Sequence, residues 1–151
     1  MDRKGSQMGW TATEGFGADY AVPDVIVNLE GIINDSWHND ACPSFRAPDL
    51  GEDEVTLKIW CDHPDEDKRE MFGPRFSVTL LSYTSETDWV IADVAAMLDV
   101  KVDDRDTLCF SSDDSGEIVK AFMVRMLATR IVIKKQAISD AQQVQDILAD
   151  L

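Results

Sequence analysis

The sequence predicts an α+β fold: an antiparallel sheet of about four to five strands, with two to three helices packed on one face and lying mainly in the C-terminal half. Three observations lead there. Residues 55–62 and 75–83 alternate apolar and polar side chains with a period of two. Apart from one short helix expected between these two segments, capping sequences followed by helical spacing appear after residue 84. Strand signals therefore precede helix signals instead of alternating with them, which separates this class from a parallel α/β sheet.

Taken in order, residues 1–19 are rich in Gly, Ser, Thr and Asp, follow neither period, and are expected to form a loosely ordered leader to a single domain over 20–151. Tyr20–Val22 and Asp24–Glu30 carry Val25, Ile26 and Val27 beside Pro23, a pattern that suits an edge strand, ended or bent at Gly31. Residues 34–51 read as a turn-rich loop, with Trp37 and Phe45 as two large rings that a plain surface loop does not need. The segment from Trp37 to Phe45 is expected to be ordered and at least partly accessible, pinned by those rings.

Val55, Leu57, Ile59 and Cys61 form the inward face of one strand, and Phe76, Val78 and Leu80 that of a second strand paired with it. A short helix is expected between them, capped by Asp62 or His63, with Pro64 in its first turn and Gly73-Pro74 as its stop. Ser85-Glu86-Thr87-Asp88 has the form of a capping box, and the apolar run Trp89 to Leu98 predicts a helix buried on more than one side. A strand over 107–111 and a turn at Asp113 to Gly116 follow. Asp114 and Glu117 then open a helix with Val119, Phe122, Met123, Met126 and Leu127 on one face. Ile131 to Ile133 can close that helix or form a strand, and a final stretch from Ser139 sets Val144, Ile147, Leu148 and Leu151 at helical spacing.

The chain of 151 residues carries 29 acidic and 14 basic residues, a formal net charge of −15. Residues 1–75 hold 16 acids and 7 bases and residues 76–151 hold 13 and 7, so the excess is not confined to a tail. Such a field opposes binding to nucleic acid or anionic membrane and favours encounter with a basic protein. Charge of this sign also serves solubility alone. The longest apolar stretch, 118–133, is interrupted by Lys120, Arg125 and Arg130, so no membrane span is expected, and the N-terminus lacks the apolar run of a secretory signal. Cys42, Cys61 and Cys109 form an odd set that suits reduced thiols in a cytoplasm. Lys120, Arg125, Arg130, Lys134 and Lys135 are the only charges between Glu117 and Asp140, a local inversion that suits a solvated helix face or a contact with an acidic surface, including one on another copy of the chain.

Two clusters could carry chemistry. Trp37-His38-Asn39-Asp40-Ala41-Cys42-Pro43 and Trp60-Cys61-Asp62-His63-Pro64 contain both histidines and two of the three cysteines. His38, Cys42, Cys61 and His63 have the ligand chemistry of zinc but not the tight paired spacing of a zinc motif. The same residues could supply a thiol nucleophile and an imidazole base, oriented by Asp40 or Asp62, although no local signature of a cysteine hydrolase surrounds them. Gly15-Phe16-Gly17 neither follows a strand nor opens a helix, which removes it as a phosphate loop.

The reading that follows is a small acidic cytoplasmic binding protein, of inhibitor, immunity or adaptor type, docking on a more basic protein and using no cofactor. Its expected contact residues are Trp37, His38, Asp40, Phe45, Trp60 and Asp62, aromatic anchors ringed by charge. The alternative is a metal- or thiol-dependent enzyme built on His38, Cys42, Cys61 and His63.

Overall fold

The computed structural model describes residues 16, 20–36, 42–48, 50, 55–70, 73–81, 86–102 and 106–150. In chain order the elements are α1 (Asp24–Val27), β1 (Ile33–Asn34), β2 (Ser44–Arg46), β3 (Thr56–Cys61), a 3₁₀ turn (Glu66–Lys68), β4 (Phe76–Leu81), α2 (Glu86–Leu98), β5 (Cys109–Ser112) and α3 (Ser115–Ala149). The five strands form one sheet in sequence order, every neighbouring pair antiparallel. The α+β class and its antiparallel sheet are as the alternating patterns predict.

β3 and β4 pair along their full length, from Thr56 opposite Leu81 to Cys61 opposite Phe76. Leu57, Ile59, Cys61, Phe76, Val78 and Leu80 all point to one face and are buried there. Against them pack Ile118, Ala121, Phe122 and Ala128 of α3, with Ile91, Val94 and Ala95 of α2 and Ile26 of α1 completing the core. α3 touches β3, β4, β5, α1 and α2, which makes it the organising helix of the layer. Arg46, Lys58, Trp60, Ser77 and Thr79 belong to the other face of the sheet. There Asp35 bridges Lys58 at 2.9 Å and Arg46 at 3.8 Å.

Several elements differ from what the sequence predicts. The segment with Val25, Ile26 and Val27 is one helical turn, not an edge strand. The carbonyl of Pro23 accepts the amides of Ile26 and Val27, and burial of Ile26 overrides the β preference of the triplet. Gly31, at φ +75°, then turns the chain into β1. Residues 34–51 contain the short strand β2 and the end of β1, too brief for any period to show. The helix expected between β3 and β4 is a single 3₁₀ turn capped by Asp65, whose carboxylate accepts the amide of Asp67.

α2 is buried on one side only: Thr87, Ile91, Val94 and Ala95 face inward, whereas Trp89, Met97 and Leu98 are exposed. It ends with Asp99 in the left-handed region (φ 55°) and the amide of Val100 on the carbonyl of Ala95, the 6→1 bond of a Schellman ending. α3 is one uninterrupted helix through Ile131–Ile133 and Ser139. Its N-cap is Asp114, which accepts from Gly116 and Glu117 as the capping pattern predicts. Its buried stripe is Ile118, Ala121, Phe122, Val124, Arg125, Ala128, Thr129 and Val132, rotated from the expected face, so Met123 and Leu127 stand at its exposed margin. The charged Arg125 at the centre of that stripe is what hides it from an apolar count.

Candidate functional site

At one end of the sheet the β3–β4 connection lies beside the β5–α3 turn, because Cys61 pairs with Phe76 and Phe76 with Ser112. Asp62, leaving β3, donates its amide to the carbonyl of Arg75 at 2.8 Å. Its buried carboxylate accepts the amides of His63 at 2.7 Å and Glu70 at 3.4 Å. His63 is buried as well; its Nδ1 accepts the amide of Asp65 at 2.9 Å and its ring meets Tyr20 edge-on, 4.9 Å between centroids. Burial and the nearby carboxylate of Asp62 push the Tyr20 phenol above its ordinary value.

Two arginines bind this end together. Arg69 donates to the carbonyls of His63, Gly73 and Pro64 and to Asp113. Arg75 donates through its side chain to the carbonyls of Asp62 at 3.0 Å and Ala21 at 2.6 Å, with its guanidinium 4.7 Å above the Phe76 ring. Burial lowers the Arg75 pKa, an effect opposed by Cys61 and Asp62. Apart from the contact of Arg69 with Asp113, the donors of both cations are directed into backbone carbonyls. Around them Asp65, Glu66, Asp67, Glu70, Asp113, Asp114 and Glu117 are exposed, while Lys68 alone is exposed among the bases of residues 62–70. The result is an acidic rim over a buried polar network.

The residues singled out from the sequence separate in space and in role. Trp37, His38 and Asp40 lie outside the described residues. Phe45 is 3% exposed, opposite Ile59 in the core, and Asp62 is 7% exposed inside the network, so both serve the fold and neither presents a contact surface. Trp60 is half-buried on the sheet face opposite α2 and α3, where its Nε1 donates to the Thr79 hydroxyl at 3.3 Å and Lys58 stands 5.1 Å over its ring.

Of the four expected metal or thiol residues, His38 is outside the described residues, while Cys42, Cys61 and His63 are all buried at the rim end. Among the described residues no group of three or more His, Cys, Asp or Glu side chains is placed to hold a metal ion. Cys61 points into the core, and burial pushes its thiol up to about 12, which keeps it protonated and poorly nucleophilic near neutral pH. Burial together with Asp106 also raises the thiol of exposed Cys109. The Nδ1 lone pair of His63 is already committed to Asp65.

Sequence reasoning missed Arg69, Arg75 and Asp113 because their partners are carbonyls and amides brought near by topology, which no spacing rule encodes. It also placed Arg125 with the other bases of α3 on a solvated or contact face, whereas Arg125 is fully buried, donates to the carbonyls of Ala121 and Cys109, and has its Nε without a partner. No protein-family model, curated protein or solved structure matches the chain.

Proposed function

We propose that this protein is an acidic binding protein that docks a basic protein partner through the rim at the β3–β4 end of its sheet. The observation that carries this reading is the use of Arg69 and Arg75: with their donors turned to inner carbonyls and Asp113, the neighbouring carboxylates face solvent largely without competing cations. The net charge of −15 adds a long-range field of the same sign, which speeds encounter with a basic surface. The rim stands on Asp62, His63 and the two arginines, so its carboxylates are held on a fixed turn, and less ordering is needed on docking. An inhibitor, immunity-type or adaptor role in the cytoplasm fits such a surface.

Capture from native extract tests this, with wild-type protein beside a variant carrying Asp65→Asn, Glu66→Gln, Asp67→Asn and Glu70→Gln. Asparagine at 65 keeps the cap, so the turn persists. A protein with a basic surface retained by wild type and lost from the variant is the expected result. Identical retention by both would overturn the assignment of the rim.

A further inference from the structure

Residues 134–149 of α3 form an arm. Val132 is the last buried residue of the helix, and every residue from Lys134 to Ala149 is exposed. At about 1.5 Å per residue the arm extends about 24 Å. A free helix of that length is marginal in water, so an apolar stripe along it calls for a partner.

The stripe is present. Ala137, Ala141, Val144 and Leu148 recur at spacings of four, three and four, the heptad pattern of a two-helix seam, and Val144 and Leu148 are 55% and 62% exposed. Lys135, Asp146 and Asp150 lie on the opposite side of the helix from this stripe, and Lys135 bonds Glu86 of α2 at 2.8 Å.

We propose that the arm pairs with the arm of a second copy of this chain, antiparallel and centred between Gln142 and Gln143. That register sets Ala137 against Leu148 and Ala141 against Val144, small against large at every layer, which is how facing positions interdigitate without voids. It also opposes the two helix dipoles. A parallel pair would instead stack Lys134, the next seam position, on its own copy and face alanine with alanine. Because the rim lies at the far end of the body, this contact leaves it free.

The test combines mass and orientation in the full chain. Sedimentation over a range of concentrations should show a dimer that dissociates on dilution, and Val144→Asp with Leu148→Asp should abolish it while thermal melting of the body stays unchanged. In a Cys109→Ser background, a mixture of Ala137→Cys and Leu148→Cys proteins should form a mixed disulfide dimer under mild oxidation, with neither variant cross-linking alone. A monomer at every concentration, or cross-linking of each variant to itself, would overturn the proposal.

Discussion

Asp113 joins two turns that are distant in sequence: one of its carboxylate oxygens accepts the backbone amide of Arg75 at 2.8 Å and also the guanidinium of Arg69 at 3.2 Å. It thereby fastens the β3–β4 connection to the start of α3. Asp113→Ala should destabilise the protein by about 1–2 kcal/mol, because a backbone amide and a charged donor lose their acceptor together. Asp113→Asn keeps a carbonyl oxygen and should cost less. Urea denaturation of the two variants beside wild type checks the order.

Arg125 makes a different demand on the core, being fully buried, with burial lowering its pKa and its guanidinium 5.9 Å over the Phe110 ring. Its Nη2 reaches the carbonyl of Cys109, which points away from β4 at the free edge of the sheet, since the amide of Leu80 bonds Leu108 and the ladder alternates. Arg125→Met fills similar volume without a buried charge and should leave stability unchanged or raised. Arg125→Ala should lose about 2–4 kcal/mol through the cavity it opens. Thermal melts of both variants decide this; a large loss in Arg125→Met would show that capping the edge carbonyl outweighs desolvation.

The ending of α2 offers a gain. Asp99 holds φ 55°, a conformation that costs a side-chain-bearing residue about 1–2 kcal/mol and costs glycine little. Asp99→Gly should raise stability by about 0.5–1 kcal/mol, net of the greater freedom glycine gives the unfolded chain. A higher denaturation midpoint with unchanged slope is the expected observation.

The Cys61 thiol sets an alkaline limit. Its ordinary value of 9.0 applies in the unfolded chain and about 12 in the folded one, so the folded state holds the proton more tightly. The stability this contributes is fully present below pH 9 and is lost as pH rises from 9 towards 12. Cys61→Ala or Cys61→Val should remove that contribution to the alkaline slope. In the wild type, thiol labelling at pH 8 should reach exposed Cys109 in the folded protein and Cys61 only on unfolding.

What the sequence discloses follows physical scale. β3 and β4 are legible because six residues of strict alternation meet a fully formed buried face, and α2 and α3 because the sequence carries capping patterns at residues 85–88 and 114–117, of which Asp114 caps α3 as expected. β1 and β2 are not, since the three-residue β2 exists only through its pairing with β3 and the two-residue β1 only through its pairing with β2. Phe45 illustrates the limit at the site: a large ring in a polar stretch signals that something is packed there, but whether it anchors a partner or the core depends on Ile59 standing opposite. Exposed Trp89 is the converse, an apolar residue whose place in a capped helix suggests burial that a single layer of helices does not provide. The rim was invisible because its signal is the direction of two arginine side chains.

Electrostatic docking at the rim is tested most directly by the association rate with the basic protein recovered in the capture, followed as ionic strength rises, for wild type and the four-residue rim variant. Exposed charges are screened beyond about 10 Å at 0.1 M salt and about 3 Å at 1 M. The wild-type rate should therefore fall steeply with salt, and the variant should start slow and change little. Equal rates for the two proteins at low salt, or a wild-type rate indifferent to salt, would contradict the account.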